Sequence, residues 1–298
     1  MPLKTHLTLG RVSNLPTVWT NVLAAGLLAG ATLPSNSGTL LLVAMSLFYI
    51  AGMYYNDACD ADFDARHQPH RPIPSGLISR HQVEGFALVY AVVAIVLVYA
   101  ASTSSPSTSG NASIGGLLGA LCLIACIVTY NRHHKNNPFS PLLMAGCRVA
   151  VLVTSSYTLM AHFPPDVFLA VVAILAWLTG LTFLAKHEQT LNAPVSKLID
   201  HWPLLVLCIP VLIGAVLSLS SPAIALPVLL IVVVIGIAKT RLHGGPAHLK
   251  GGAIALMIAG ICLVDGIFLA WIWGLQGVVV SVAAFGMTLA LQRWVAGT

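Results

Sequence analysis

The densest group of chemistry-bearing residues runs from Asn56 to Gly76, as Asn56-Asp57-Ala-Cys-Asp60-Ala-Asp62-Phe-Asp64-Ala-Arg66-His-Gln-Pro-His-Arg71-Pro-Ile-Pro-Ser-Gly. Asn56, Asp60 and Asp64 are spaced i, i+4 and i+8, so on a helix they stack along one face, with Asp57 one position round. Like charges at that spacing destabilise a helix, and the ladder is costly unless a cation lies across it. Hard divalent ions such as Mg²⁺ take carboxylate oxygens, and they bind through one or two carboxylates together with substrate phosphates. A diphosphate bridged to the ladder by Mg²⁺ is therefore the natural guest. The bland alternative is a solvated acidic cap on an apolar helix. The apolar residues just before the ladder, with Arg66 and Arg71 just after it, favour combined metal and anion binding.

The elements that must carry these residues are membrane helices. Of 298 residues, 57% are hydrophobic and 8% are charged, with a mean hydropathy of +0.89, whereas soluble domains carry about 25% charged residues. Apolar stretches at 15–33, 38–56, 82–101, 114–130, 139–161, 166–185, 203–220, 222–239, 253–274 and 277–292 are long enough to cross a bilayer, the last being short. The basic residues test that pattern independently. Lys4, Arg11, Arg66, Arg71, Arg80, Arg132, Lys135, Lys186, Lys197, Lys239, Arg241, Lys250 and Arg293 all fall on one side, leaving Arg148 inside the fifth span. By the positive-inside rule both termini are cytoplasmic and the protein is a multi-pass protein of the inner membrane. A nine-span version strands only Arg293. The net charge of +5 thus reflects orientation and gives no reason to expect a nucleic-acid partner. The fold class expected is all-α: one transmembrane bundle of nine to ten helices over residues 1–298.

Other residues carry weaker signals. Arg148 is an intramembrane cation, for which function is the default reading, and diphosphate contact is the expected role. Asp265, deep in the ninth span, reads as a helix-packing hydrogen-bond partner, with proton acceptor as the alternative. Asn14 and Asn21 either line a substrate pocket or join helices. The histidines match no zinc template, and none of the six cysteines forms a Cys-x-x-Cys pair. Gly26–Gly30 and Gly115–Gly119 are Gly-x-x-x-Gly pairs, which allow close helix approach.

The run Asn-Asp-x-x-Asp-x-x-x-Asp followed by Arg-Pro-Ile-Pro-Ser-Gly resembles the first signature of the UbiA family of intramembrane aromatic prenyltransferases. Arg11-Val-Ser-Asn14-Leu-Pro16-Thr resembles the start of that family's first helix. Tyr130 through Lys135 and the stretch to Arg148 resemble its connection from helix 4 into helix 5, and Gly180 to Glu188 stands in the place of its second signature. The resemblance implies a fold of the UbiA prenyltransferase type around a central cavity open to the cytoplasmic side, and transfer of an isoprenyl group from an isoprenyl diphosphate to a lipophilic, aromatic acceptor. It makes Asn56, Asp57, Asp60 and Asp64 ligands of Mg²⁺, with Arg71, Lys135 and Arg66 as phosphate partners. Asn14, Tyr130, Arg148, Lys186 and Glu188 become substrate-binding residues. The second signature normally carries two or more aspartates, where this chain has Lys186-His187-Glu188, with Asp200 further on. Three outcomes follow: one Mg²⁺ with Lys186 in place of the other ion, a second ion on Glu188 and Asp200, or loss of transfer. The last would leave a UbiA-like protein that binds or transports a lipid or metabolite. A CDP-alcohol phosphotransferase is excluded, because its Asp-Gly-x-x-Ala-Arg motif and later paired aspartates are missing.

Overall fold

A computed structural model describes residues 3–107, 111–135, 137–187, 202–244, 247–295 and 297. The described residues hold twelve α-helices and two single 3₁₀ turns, joined by short connections, with no strand among them. A short α1 (Leu3–Leu9) lies ahead of the 3₁₀ turn Val12–Asn14 and α2 (Leu15–Leu28). Then come α3 (Asn36–His67), α4 (Arg80–Ser104), α5 (Asn111–His133), α6 (Ser140–Met160), α7 (Pro165–His187) and α8 (Trp202–Leu217). The chain ends with α9 (Ala225–Gly244), α10 (Ala247–Ala259), α11 (Ile261–Trp273) and α12 (Leu275–Gln292).

Nine of the ten apolar stretches each coincide with one helix, and the stretch 253–274 coincides with two. Eight are long and apolar enough to cross a membrane. The other two, α2 with 14 residues and α8 with 16, are shorter than the roughly 20 residues that a perpendicular crossing needs. Two boundaries differ from the sequence expectation. The first span ends at Leu28 rather than near residue 33, and the ninth is broken at Gly260 into α10 and α11. At that break the indole of Trp177 packs so closely that a Cβ on Gly260 would lie 2.8 Å from it. Trp177 Nε1 donates to the carbonyl of Met257 at 3.1 Å, using an acceptor that the helix end leaves free.

The helix that matters most is α3. Ser35 caps its start, accepting from the Gly38 backbone N–H at 3.1 Å, and no proline interrupts the 32 residues that follow. At 1.5 Å per residue it is about 48 Å long, well beyond the roughly 30 Å hydrocarbon layer. Its last three turns carry the aspartates. Pro69, directly after the cap residue Gln68, stops the helix, and turns at Arg71–Ser75 and Ile73–Gly76 fold the connection back, with Gly76 at φ 75°. A capping box formed by Ser79 and Gln82 restarts the chain as α4.

Around α3 the bundle is built by close contact. Gly116 and Gly119 on α5 face Thr158 and Thr154 of α6, where added Cβ atoms would lie 2.6 and 2.8 Å from the threonine hydroxyls. Helix α2 lies at the centre, packed on α3, α6, α11 and α12. One apolar core gathers Trp177, Leu207, Leu263 and Phe268 about α7 and α11, and a second gathers Val18, Met45, Phe48 and Leu123 about α2, α3 and α5.

Candidate active site

The continuous helix places Asn56, Asp57, Asp60 and Asp64 on one buried face, with exposures of 8%, 8%, 9% and 3%. Asp62, off that face, is exposed and, among the described residues, pairs with Arg80 alone, at 3.4 Å. Three buried carboxylates within two turns would repel one another strongly, and three cations from different parts of the chain balance them. Arg71, returned by the proline turn, donates to Asp64 Oδ2 at 3.0 Å, lies 3.5 Å from Asp57 Oδ1 and donates to Gln68 at 2.7 Å. Arg11 reaches Asn56 Oδ1 at 3.3 Å and Asp57 Oδ1 at 3.4 Å. Its backbone is left-handed at φ 42°, a conformation uncommon for a side chain of that size. Lys135 Nζ lies 2.5 Å from Asp60 Oδ1 and 4.3 Å above the ring of Phe63. His134 Nε2 lies 3.6 Å from the same oxygen while its ring stacks on Tyr130. Asn131 accepts from Asn56 Nδ2 at 3.0 Å and donates to the Gly52 carbonyl at 3.3 Å, locking α5 against α3.

Two hollows adjoin this cluster. The larger, about 690 Å³, lies between α3, α4 and α5. Asp60, Arg80, Glu84, Arg132 and Lys135 line one part of it, and Leu88, Ala91, Ile124 and Val128 line another. The smaller, about 80 Å³, lies between α2, α3, α5 and α6 and is lined by Tyr49, Met53, Tyr130, Met144 and Arg148 among others. Phe48, Gly52, Ile127 and Asn131 border both. Among the described residues, no group of three or more His, Cys, Asp or Glu side chains converges as a closed metal cage would require.

The structure thus brings together Asn56, Asp57, Asp60, Asp64, Arg71 and Lys135, and places Tyr130 and Arg148 on the smaller hollow. Four expectations change. Arg66 is exposed and lies outside the cluster, because position 66 falls on the far side of α3 from Asp60 and Asp64. Asn14 is buried but lines neither hollow. It donates to Tyr49 at 3.2 Å and to the Gly297 carbonyl at 2.9 Å, and accepts from Gln292 at 3.0 Å, which makes it a joint between helices. Arg148 turns its guanidinium to Thr17 and Asn21 on α2 and away from the aspartates. Lys186 donates to the Asn137 carbonyl at 2.7 Å and to Ser140 Oγ at 3.1 Å, tying the end of α7 to the start of α6. Glu188 and Asp200 lie outside the described residues. Sequence reasoning assigned no role to Arg11, Asn131 or His134. For Arg11 the available signal was its place in the motif-like stretch ahead of the first span.

The sequence model of the UbiA prenyltransferase family matches residues 15–297. A digeranylgeranylglyceryl phosphate synthase of Methanoregula boonei is 32% identical over 152 residues, covering 50% of this chain and 49% of that protein. Its counterpart in Methanocaldococcus jannaschii is 30% identical over 101 residues, covering 32% of this chain and 34% of that protein. The matches therefore span about half and about a third of these relatives. Among solved structures, a UbiA homologue from Archaeoglobus fulgidus bound to GPP and Mg²⁺ superposes with a TM-score of 0.60 at 14% identity, over 93% of this chain and 99% of that one. A digeranylgeranylglyceryl phosphate synthase structure superposes equally well, with a TM-score of 0.60 at 17% identity over 92% and 99%. At those identities the likeness is one of fold.

Proposed function

Because this chain belongs to the UbiA prenyltransferase family, we propose that it transfers an isoprenyl group from an isoprenyl diphosphate to a lipophilic, aromatic acceptor in a Mg²⁺-dependent reaction. One observation carries this reading: three buried carboxylates, each with its own basic partner, beside a largely apolar hollow of about 690 Å³. The donor set suits Mg²⁺ chemically, since Asn56, Asp57, Asp60 and Asp64 offer only oxygen to a hard cation that needs one or two carboxylates beside the phosphates. When bound, the metal would supply charge stabilisation to the departing diphosphate.

The chain's own residues do the rest. Arg11, Arg71 and Lys135 are positioned to exchange a carboxylate for a phosphate oxygen as a donor enters, so the charge left on the leaving group meets cations already in place. The apolar wall of Leu88, Ala91, Ile124 and Val128 takes the tail and keeps water from the allylic carbon. The one-sided basic loops support an orientation in which both termini, and with them the aspartate end of the bundle, face the cytoplasm from the inner membrane.

The direct test is release of inorganic diphosphate from geranyl diphosphate by the detergent-purified protein, with and without Mg²⁺ and a panel of lipophilic acceptors. Release that stops on chelation is expected. Failure to turn over any isoprenyl diphosphate with any acceptor class would remove the transferase claim. Lys135→Met should raise the KM for the donor about tenfold or more, since one preplaced cation is lost. Steady-state kinetics on variant that elutes as folded protein would check this. A second reading is retention of a prenyl lipid without turnover. The engagement of Lys186 with Asn137 and Ser140 supports it, because that ammonium is then not available to replace a missing second ion. Bound lipid in extracts of the wild type and of Asp60→Ala alike, without turnover in either, would establish it.

A further inference from the structure

The larger hollow carries one positive charge more than its own carboxylates cancel. Arg80, Arg132 and Lys135 line it, against Asp60 and Glu84. Lys135 is committed to Asp60, and Arg80 to Glu84 at 3.1 Å and Asp62 at 3.4 Å. Arg132 has no carboxylate partner among the described residues. Its Nε donates to the neutral hydroxyl of Tyr55 at 2.8 Å, which ties the guanidinium to α3 beside the hollow. The N–H groups of Nη1 and Nη2 remain, and that end of a guanidinium can hold two phosphate oxygens at once. Arg132 stands in the last turn of α5, at the aspartate end of the bundle. Deeper in the same hollow, Val128 and Ile124 on α5 and Leu88 and Ala91 on α4 form an apolar trough. From Arg132 to Ile124 the helix runs about 12 Å, close to the roughly 15 Å of hydrocarbon in one leaflet. The trough lies on a lipid-facing side, where Leu88, Val92 and Val96 on α4 and Leu118 and Leu121 on α5 are exposed. An unmatched cation above one leaflet's depth of apolar wall has the outline of a phospholipid, and basic pockets between membrane helices bind lipid head groups.

We propose that this hollow is a resident-lipid site: an anionic phospholipid holds its phosphate on Arg132 and lays an acyl chain along the trough from Val128 to Ile124, and an isoprenyl diphosphate displaces it on entry. Occupancy by lipid stands on Arg132 and the trough alone. Displacement rests on the transferase reading above, which gives the donor's tail the same apolar wall. Anionic lipid and donor then compete, so the charge composition of the surrounding leaflet sets how readily a donor is taken up. An arginine that only reached out to water would hold no lipid through purification and would not distinguish one head group from another.

Native mass spectrometry of the full-length protein in detergent tests this, with equal amounts of dioleoyl phosphatidylglycerol and dioleoyl phosphatidylcholine added. The wild type should retain phosphatidylglycerol about fivefold over phosphatidylcholine, the scale of one basic residue acting on an anionic lipid, and Arg132→Gln should bring the ratio within about twofold of parity. Leu88→Trp fills the trough and should lose most of the retained lipid of either kind. Equal retention by the wild type overturns the proposal, as does a preference that survives in Arg132→Gln or full retention by Leu88→Trp. Arg132 is exposed, so its variant should melt like the wild type, and should it fail to fold, Leu88→Trp decides alone. Inorganic phosphate should leave the lipid ratio unchanged. If it strips phosphatidylglycerol from the protein, a free anion is the occupant and the proposal falls. Geranyl diphosphate with Mg²⁺ is added last. Loss of phosphatidylglycerol as the donor binds supports displacement, and a species carrying both overturns it. Absence of donor binding would defeat the transferase reading, while the lipid ratio still judges the lipid site.

Discussion

Asp64→Ala should lower Mg²⁺-dependent diphosphate release by about a hundredfold or more, the scale of losing a preorganised charge-stabilising group. Asp64 is the most buried of the ladder carboxylates, at 3% exposure, and it holds Arg71 at 3.0 Å. Its removal takes away an oxygen donor and also leaves Arg71 steered only by Asp57 and Gln68. Asp60→Ala should act on the same scale, by freeing Lys135 from its 2.5 Å partner. Asp62→Ala is the matched control, since it removes an equal charge from the same stretch of α3, where the side chain is exposed and pairs with exposed Arg80. Exposed pairs contribute about 0–1 kcal/mol, and turnover should stay within about twofold of the wild type. Steady-state assays of the three variants side by side decide the matter. An Asp62→Ala effect equal to that of Asp64→Ala would mean that general acidity, rather than the buried face, is what the reaction uses.

That contrast also shows what the sequence can reveal. A four-residue period across the end of an apolar stretch marks one helix face, because the helix repeat is fixed by the backbone. Asn56, Asp60 and Asp64 could therefore be grouped without any structure. The apolar stretches were equally legible, since a bilayer imposes both their length and the sidedness of basic loops. Partners chosen by tertiary packing were not. Arg11 stands 45 residues before Asn56, and nothing local says that the turn ahead of α2 delivers it there. Arg148 announced itself as an intramembrane cation, yet its partners Thr17 and Asn21 lie 131 and 127 residues away, so its direction could not be read. Asn14 and Asn21 looked alike, one turn or two into the first span. Only packing sends the first to the chain's C-terminal end and the second to Asp265.

Gly277→Ala should damage the fold severely. An added Cβ would lie 2.1 Å from the Leu269 carbonyl oxygen, 2.2 Å from its carbon and 2.6 Å from the Ala270 nitrogen. All three are backbone atoms of α11, so no side chain can move aside. Helices α11 and α12 would have to separate, and α11 is buried almost throughout. The cost should reach about 3 kcal/mol or more, the upper range for overpacked sites. Gly286→Ala on the same helix has no neighbour within 4 Å of the new methyl and should be neutral or stabilising by up to about 1 kcal/mol. Size-exclusion profiles of detergent extracts after graded heating would separate the two. A Gly277→Ala protein as heat-resistant as Gly286→Ala would show that α11 and α12 are not held as closely as the structure has them.

The length of α3 has a consequence for traffic. A rod of 32 residues is long enough to carry its acidic end to the level of the lipid phosphates while its shaft stays in oil. A substrate with a water-loving head and a greasy tail could then dock by sliding sideways within one leaflet, without being pulled into solvent. Its alkylated product could depart along the same plane.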